Sequence, residues 1–158
     1  MISSTMEFTS KSVEETHAFG ERLGALLVGG DVLALVGQLG AGKTTLVQGL
    51  AKGLGVDPQQ VKSPTFVLLR EYAGRVPLVH IDGYRLDGGD SVVWLDLEWI
   101  FSRRKVTVIE WADRLTDCLP PEHLELQLAH KTTNQRSMTL VPHGARAEQL
   151  VEQLRVAA

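Results

Sequence analysis

Lys43 and Thr44 close a pattern, G-x-x-x-x-G-K-T, that begins at Gly37 and runs through Gln38, Leu39, Gly40, Ala41 and Gly42. These residue types at this spacing suit the binding of a polyphosphate. Gly37, Gly40 and Gly42 let the backbone turn tightly, so that successive N–H groups point into one concavity. A helix starting near Lys43 adds its free N–H groups and the positive end of its dipole to the same anion. Lys43 brings a mobile charge to the β- and γ-phosphates, and the Thr44 hydroxyl is a ligand for Mg²⁺. Thr45 follows in the same helical turn and completes the nucleotide-binding set. A glycine-rich turn that binds nothing is the alternative, and the flanking pattern argues against it. Val32–Val36 is a short β-branched run fit for a buried strand, and Leu46, Val47, Leu50 and Leu54 fall on one helical face.

Two further apolar runs end in an acid, Leu78-Val-His-Ile-Asp82 and Val106-Thr-Val-Ile-Glu110. Buried parallel strands of an open α/β sheet deliver their last residues to the crevice where ligands bind. Either acid can serve a Mg²⁺ shell, and spacing alone does not choose between them. Thr65, in the polar stretch Lys62-Ser63-Pro64-Thr65, is a candidate switch residue sensing the γ-phosphate, although such a threonine is more often a plain turn residue. Arg85 is a candidate arginine finger in cis. Ser12, just ahead of a helix, is a candidate for contact with a nucleotide base, and more simply a helix cap. Arg136, at the end of the loop from Lys131, completes the wider set.

The elements that must position these residues read as an alternation of strands and helices. Met6 and Phe8 alternate with polar neighbours as in an edge strand. Ser12-Val13-Glu14-Glu15 has the form of a capping box opening a helix. Val13, Phe19, Leu23, Leu26 and Leu27 give that helix an apolar face, and Gly29-Gly30 closes it. Gly53 and Gly55 end the next helix, and Asp57-Pro58 turns the chain. Segments 66–72 and 77–82 read as a hairpin. Between Asp90 and Phe101, the residues Val93, Leu97, Ile100 and Phe101 suggest a short, broken helix. Trp94 and Trp99 read as core or rim packing, and Arg103-Arg104-Lys105 as a solvated turn. Leu124, Leu126 and Leu128 alternate with polar residues, and Met138 and Leu140 mark the partner strand. Ala147, Leu150, Val151 and Leu154 give a closing amphipathic helix. The fold class expected is α/β of the P-loop NTPase type, a mixed, mostly parallel sheet flanked by helices, with antiparallel hairpins.

At 158 residues the chain is expected to form one domain, 1–158, with a sizeable core. A net charge of −3 argues against a broad electrostatic grip on nucleic acid. The single cysteine, Cys118, allows neither a disulfide framework nor a zinc cluster within one chain, and a reduced, cytoplasmic setting fits. No apolar run approaches the length of a membrane span, and the N-terminus lacks a signal pattern.

A P-loop fixes nucleotide binding, not the acceptor. A GTPase reading is weak, because no N-K-x-D segment occurs. A small-molecule kinase needs an arginine-rich lid, for which Asp90–Lys105 offers only Arg103 and Arg104. A nucleotide-dependent switch that changes shape for a protein partner is the third class.

Four blocks in order carry a closer resemblance: G-x-L-G-A-G-K-T-T (Gly37–Thr45), K-S-P-T-F (Lys62–Phe66), D-x-Y-R-L (Asp82–Leu86) and I-E-W (Ile109–Trp111). Together they resemble the TsaE family, formerly YjeE, the bacterial ATPases of the tRNA threonylcarbamoyladenosine pathway. The resemblance implies an ATPase using ATP and Mg²⁺ and working with the TsaD–TsaB complex, which transfers a threonylcarbamoyl group to the adenosine beside the anticodon. The ATPase itself would not perform that transfer, and tRNA would be met through the complex. By motif match, Lys43 and Thr44 bind phosphate and Mg²⁺, Glu110 joins the metal shell, Asp82 and Trp111 are needed for activity, and Thr65 lies in the switch-like segment. The chain departs from the family pattern at Gln38, where an acid is common, and at Asp87-Gly88-Gly89-Asp90, where a proline-glutamate helix start is frequent.

Overall fold

The computed structural model describes residues 5–37, 42–61, 69–83, 97–114, 119–133 and 135–157. Its strands are β1 (Met6–Ser10), β2 (Val32–Gly37), β3 (Leu69–Tyr72), β4 (Leu78–Asp82), β5 (Val106–Glu110), β6 (His123–His130) and β7 (Arg136–His143). The helices are α1 (Val13–Leu26), α2 (Lys43–Gly53), α3 (Leu97–Ile100) and α4 (Ala145–Ala157). All the strands join one sheet in the order β1-β7-β6-β2-β5-β4-β3. The centre is parallel: β2 lies between β5 and β6, and β4 pairs with β5. Both flanks are antiparallel, β3 on β4 at one side and β7 and β1 beyond β6 at the other. This is the expected mixed sheet with hairpins, its parallel pairings concentrated where the acids end their strands.

The pleat explains the burial. On β2, Leu33 and Leu35 join the main core with α1, α2 and α4, whereas Val32 and Ala34 face a smaller cluster containing Ile81, Ile100 and Ile109. Every residue of β4 and β5 is buried, as expected of strands covered on both faces. β6 instead alternates, with Leu124, Leu126 and Leu128 inward.

α1 opens as the capping pattern requires, with the Ser12 hydroxyl accepting from the Glu15 N–H at 3.0 Å. Glu15 answers to the backbone N–H of Lys11 rather than to that of the cap itself. Val13 does not join the apolar face; it is 66% exposed. The helix ends at Leu26, before Gly29-Gly30. Gly30, at φ +98°, turns the chain towards β2 instead.

α1 and α2 meet backbone to backbone. A Cβ on Gly20 would stand 2.6 Å from the Leu46 carbonyl oxygen, and one on Gly24 would overlap that of Leu50. From the other side, Gly49 and Gly53 press against the carbonyls of His17 and Glu21. Gly53 is thus both the last residue of α2 and a contact surface, and Gly55, at φ +81°, makes the turn that follows.

Elsewhere α3 is a single turn in which Ile100 is buried but Leu97 is exposed, contrary to the expected shared face. Val93 and Trp94 lie outside the described residues. Trp99 is exposed and carries the Lys105 ammonium 3.2 Å from its ring centroid. Lys105 also reaches Glu71 at 3.5 Å, so it is a rim contact, not part of a solvated turn.

Candidate functional site

β2 ends at Gly37 and α2 begins at Lys43, placing the phosphate-binding pattern at the carboxyl end of the central parallel strand. Gly42 caps α2 at φ +96°, a conformation that suits glycine, and among the described residues no side chain makes a capping hydrogen bond to the first-turn N–H groups. Those donors face a cavity of about 710 Å³ lined by Gly42, Lys43, Thr44, Thr45, Glu110 and Trp111. Ser12, Val13 and Thr16 border it from the start of α1, and Thr133 and Arg136 from the β6–β7 connection. Gln38, Leu39, Gly40, Ala41, Thr65 and Arg85 lie outside the described residues.

The acids come together through strand register. Asp82 is paired with Glu110 across β4 and β5, and both are almost wholly buried. By the strand alternation they share the sheet face of Leu78, Val106 and Val108, the face on which α2 packs. The Thr44 hydroxyl and these carboxylates are hard oxygen donors of the kind Mg²⁺ accepts together with phosphate oxygens and water. The donor set fits that ion.

Lys43 is only 5% exposed. Its ammonium donates to the Gly37 carbonyl at 2.7 Å and stands 3.5 Å from the centroid of the Trp111 ring. Burial pushes its pKa below the ordinary lysine value, against an upward pull from Glu110, then from Asp113 and Asp82. An incoming anion would add to the neutralising charge that these acids supply. Trp111 has φ +57°, the only non-glycine with positive φ among the described residues. For a bulky side chain this conformation costs about 1–3 kcal/mol and is typically held at functional sites. Here it turns the chain out of β5 and sets the ring against Lys43.

His80 was not legible as a site residue. It is fully buried, and its Nε2 lies 2.5 Å from Oε2 of Glu110. A polar residue two before Asp82 on a buried strand must share that acid's face, and this period-2 position is the signal that could have found it. Ser12 and Arg136 owe their convergence to the sheet edge, where β1 and β7 pair Ser10 with Arg136. Thr16 and Thr133 join the lining without any sequence signal.

A parallel-centred sheet, a glycine-bounded loop feeding an uncapped helix, and paired acids beside it define an α/β protein of the P-loop NTPase fold. The family model described as "Threonylcarbamoyl adenosine biosynthesis protein TsaE" matches residues 10–138. The tRNA threonylcarbamoyladenosine biosynthesis protein TsaE of Bacillus subtilis is 38% identical, the match covering 94% of this chain and 93% of that protein. The Streptomyces coelicolor protein of the same name is 46% identical over 69% of this chain and 75% of its own. The crystal structure of Bacillus subtilis YdiB superposes with a TM-score of 0.83 at 32% identity, covering 99% of this chain and 98% of that one. The chain belongs to the TsaE family. Among the described residues, no helix is long and apolar enough to cross a membrane.

Proposed function

We propose that this protein is a Mg²⁺-dependent ATPase that acts with the TsaD–TsaB complex in forming threonylcarbamoyladenosine on tRNA, without itself transferring the group. The observation that carries the reading is the convergence of Lys43, Thr44 and Glu110 on one cavity at the carboxyl ends of parallel strands, with Asp82 paired to Glu110 on the next strand. The family relationship supports the pathway, and a cytoplasmic location follows from it.

In this reading the α2 N-terminus and the residues from Gly37 to Thr45 hold the phosphates. Thr44 and Glu110 would hold the metal, which would supply charge neutralisation for the phosphate oxygens. Lys43 exchanges its Gly37 carbonyl for a phosphate oxygen. Trp111 keeps the lysine aimed inward and shields it from water. Asp82 positions the attacking water or the loop that follows it, and Ser12 and Val13 face the nucleoside. Thr65 senses the γ-phosphate, and Arg85 and Arg136 are the cations available to the transition state. Catalysis by such a site is mostly positioning and charge neutralisation.

Phosphate release from Mg·ATP, measured with and without TsaD–TsaB, tests the proposal. Turnover should be slow alone and rise with the complex, and the isolated chain should bind free tRNA weakly. Tight, salt-sensitive tRNA binding by the isolated chain would count against it.

A further inference from the structure

We propose that His123, Glu125 and His143 form a binding site for one divalent cation of the zinc class, remote from the nucleotide cavity. His123 and His143 are direct cross-strand partners on β6 and β7, and Glu125, paired with Val141, is the diagonal neighbour of His143. Ligand atoms of all three lie within 4.8 Å of one another. Two imidazoles and a carboxylate are a donor set for tetrahedral zinc with one position left to water. The set is too rich in nitrogen for Mg²⁺, which prefers oxygen, so the two sites would not compete for one ion.

The surroundings already set the His123 tautomer and hold Glu125 beside His143. His123 Nδ1 lies 2.8 Å from the Pro120 carbonyl oxygen, which can only accept, so Nδ1 carries the hydrogen. Its Nε2 is therefore left with a lone pair, as in metal sites where a backbone carbonyl holds the far side of the ring. Glu125 accepts from the Gln127 amide at 2.6 Å through one oxygen and meets His143 Nε2 at 3.1 Å through the other. The same geometry without a metal is a stacked pair of rings, centroids 4.4 Å apart at 20°, with the His143–Glu125 hydrogen bond beside it. Stacked rings carry their lone pairs in near-parallel planes, so one ion cannot lie in both. Chelation must rotate a ring, and the 40% exposure of the His143 side chain leaves room for that and for entry from solvent.

The site sits away from the nucleotide in two ways. His123 and Glu125 alternate with the inward leucines of β6, so they occupy the opposite sheet face from α2. Leu128, not His123, is the β6 residue beside Gly37, and the five intervening steps span about 17 Å. A bound ion would clasp β6 to β7 just before the chain turns at Gly144 into α4.

Equilibrium dialysis of the metal-free, nucleotide-free chain against Zn²⁺, with Co²⁺ absorption as the readout of ligand geometry, tests this. One Zn²⁺ per chain is expected, unmoved by millimolar Mg²⁺, and Co²⁺ should give visible bands that Zn²⁺ bleaches. His123→Gln and His143→Gln should each weaken binding by about tenfold or more, since even losses behind the ligands have effects of that size. His130→Gln and Cys118→Ser should change nothing. No stoichiometric Zn²⁺ binding by the wild type would overturn the proposal whatever the variants do. Binding that survives both histidine changes, or that is lost with Cys118, would overturn it too.

Discussion

His80 holds Glu110: its Nε2 lies 2.5 Å from Oε2 of the carboxylate, and both side chains are closed off from water. An ionised carboxylate only accepts, so the imidazole donates through Nε2. Its Nδ1 has no hydrogen-bond partner among the described residues. The bond engages one oxygen of Glu110, leaving the carboxylate oriented along β5 towards the cavity.

From this follows a positioning role for His80. His80→Ala leaves a buried carboxylate without its donor, a loss of about 1–3 kcal/mol in stability. It should also raise the Mg²⁺ concentration needed for nucleotide binding about tenfold, the usual effect of removing support behind a ligand. His80→Gln, whose amide nitrogen can take the place of Nε2, should recover most of the Mg²⁺ response. Titration of Mg²⁺ against a fluorescent ATP analogue reads this directly. An unchanged Mg²⁺ response in folded His80→Ala would reduce the histidine to core filling.

Lys43 sets binding against stability. Its pKa is lowered from 10.5, and the first cause is burial. Between the folded and unfolded values the unfolded chain binds more protons, so stability rises with pH across that window. Below the folded value both states are charged and the full penalty remains. Lys43→Met removes the buried charge and should melt no lower than the wild type without ligand. It should also lose the Mg·ATP stabilisation, about 2.7 kcal/mol at 100 times the dissociation constant. Differential scanning calorimetry with and without Mg·ATP separates the two effects. A Lys43→Met protein that keeps the full nucleotide shift would place the binding site elsewhere.

Glycines at the α1–α2 crossing are expected to invert the usual rule for helices. In an exposed helix, Gly→Ala stabilises by up to about 1 kcal/mol. A Cβ at Gly49 would instead overlap the His17 carbonyl, and one at Gly24 that of Leu50. Forcing the backbones apart should make Gly49→Ala and Gly24→Ala net destabilising, by about 1–3 kcal/mol. Because α1 and α2 both line the cavity, nucleotide affinity should fall as well. Urea unfolding with nucleotide titration checks this, and a higher midpoint for Gly49→Ala would contradict the packing.

What the chain revealed before its structure depended on how local each signal was. The run from Gly37 to Thr45 and the acids at Asp82 and Glu110 are written within single strand-to-loop transitions, so spacing exposes them. Register is not local: that Asp82 faces Glu110, and that Ser10 facing Arg136 draws Ser12 and Arg136 to the cavity, depends on pairing between distant strands. His80 was hidden because one histidine in an apolar run reads as packing. Gly20, Gly24 and Gly49 were hidden because a glycine inside a helix has no meaning until its partner helix is known. Val13 and Leu97 mislead for a related reason, since helical spacing places a residue on a face but does not say where that face ends.

Asp82 and Glu110 share a register position and a sheet face, yet the proposed site needs different work from each. Mg²⁺ takes one or two protein carboxylates alongside a neutral hydroxyl such as that of Thr44. Glu110 has its orientation fixed by His80, which suits a metal ligand. Asp82 is the last residue of its strand, and the N–H of Gly83 after it donates to the Glu110 carbonyl at 2.8 Å. That placement suits water positioning or coupling to the loop beyond. Glu110→Gln keeps the size and removes the charge, and should weaken both Mg²⁺-dependent nucleotide binding and turnover. Asp82→Asn should leave Mg·ATP binding within a few-fold while hydrolysis falls about tenfold, a barrier change of roughly 1.4 kcal/mol. Measuring Mg²⁺ dependence and single-turnover hydrolysis on both variants decides it. Loss of the Mg²⁺ dependence in Asp82→Asn, with its retention in Glu110→Gln, would reverse the two roles.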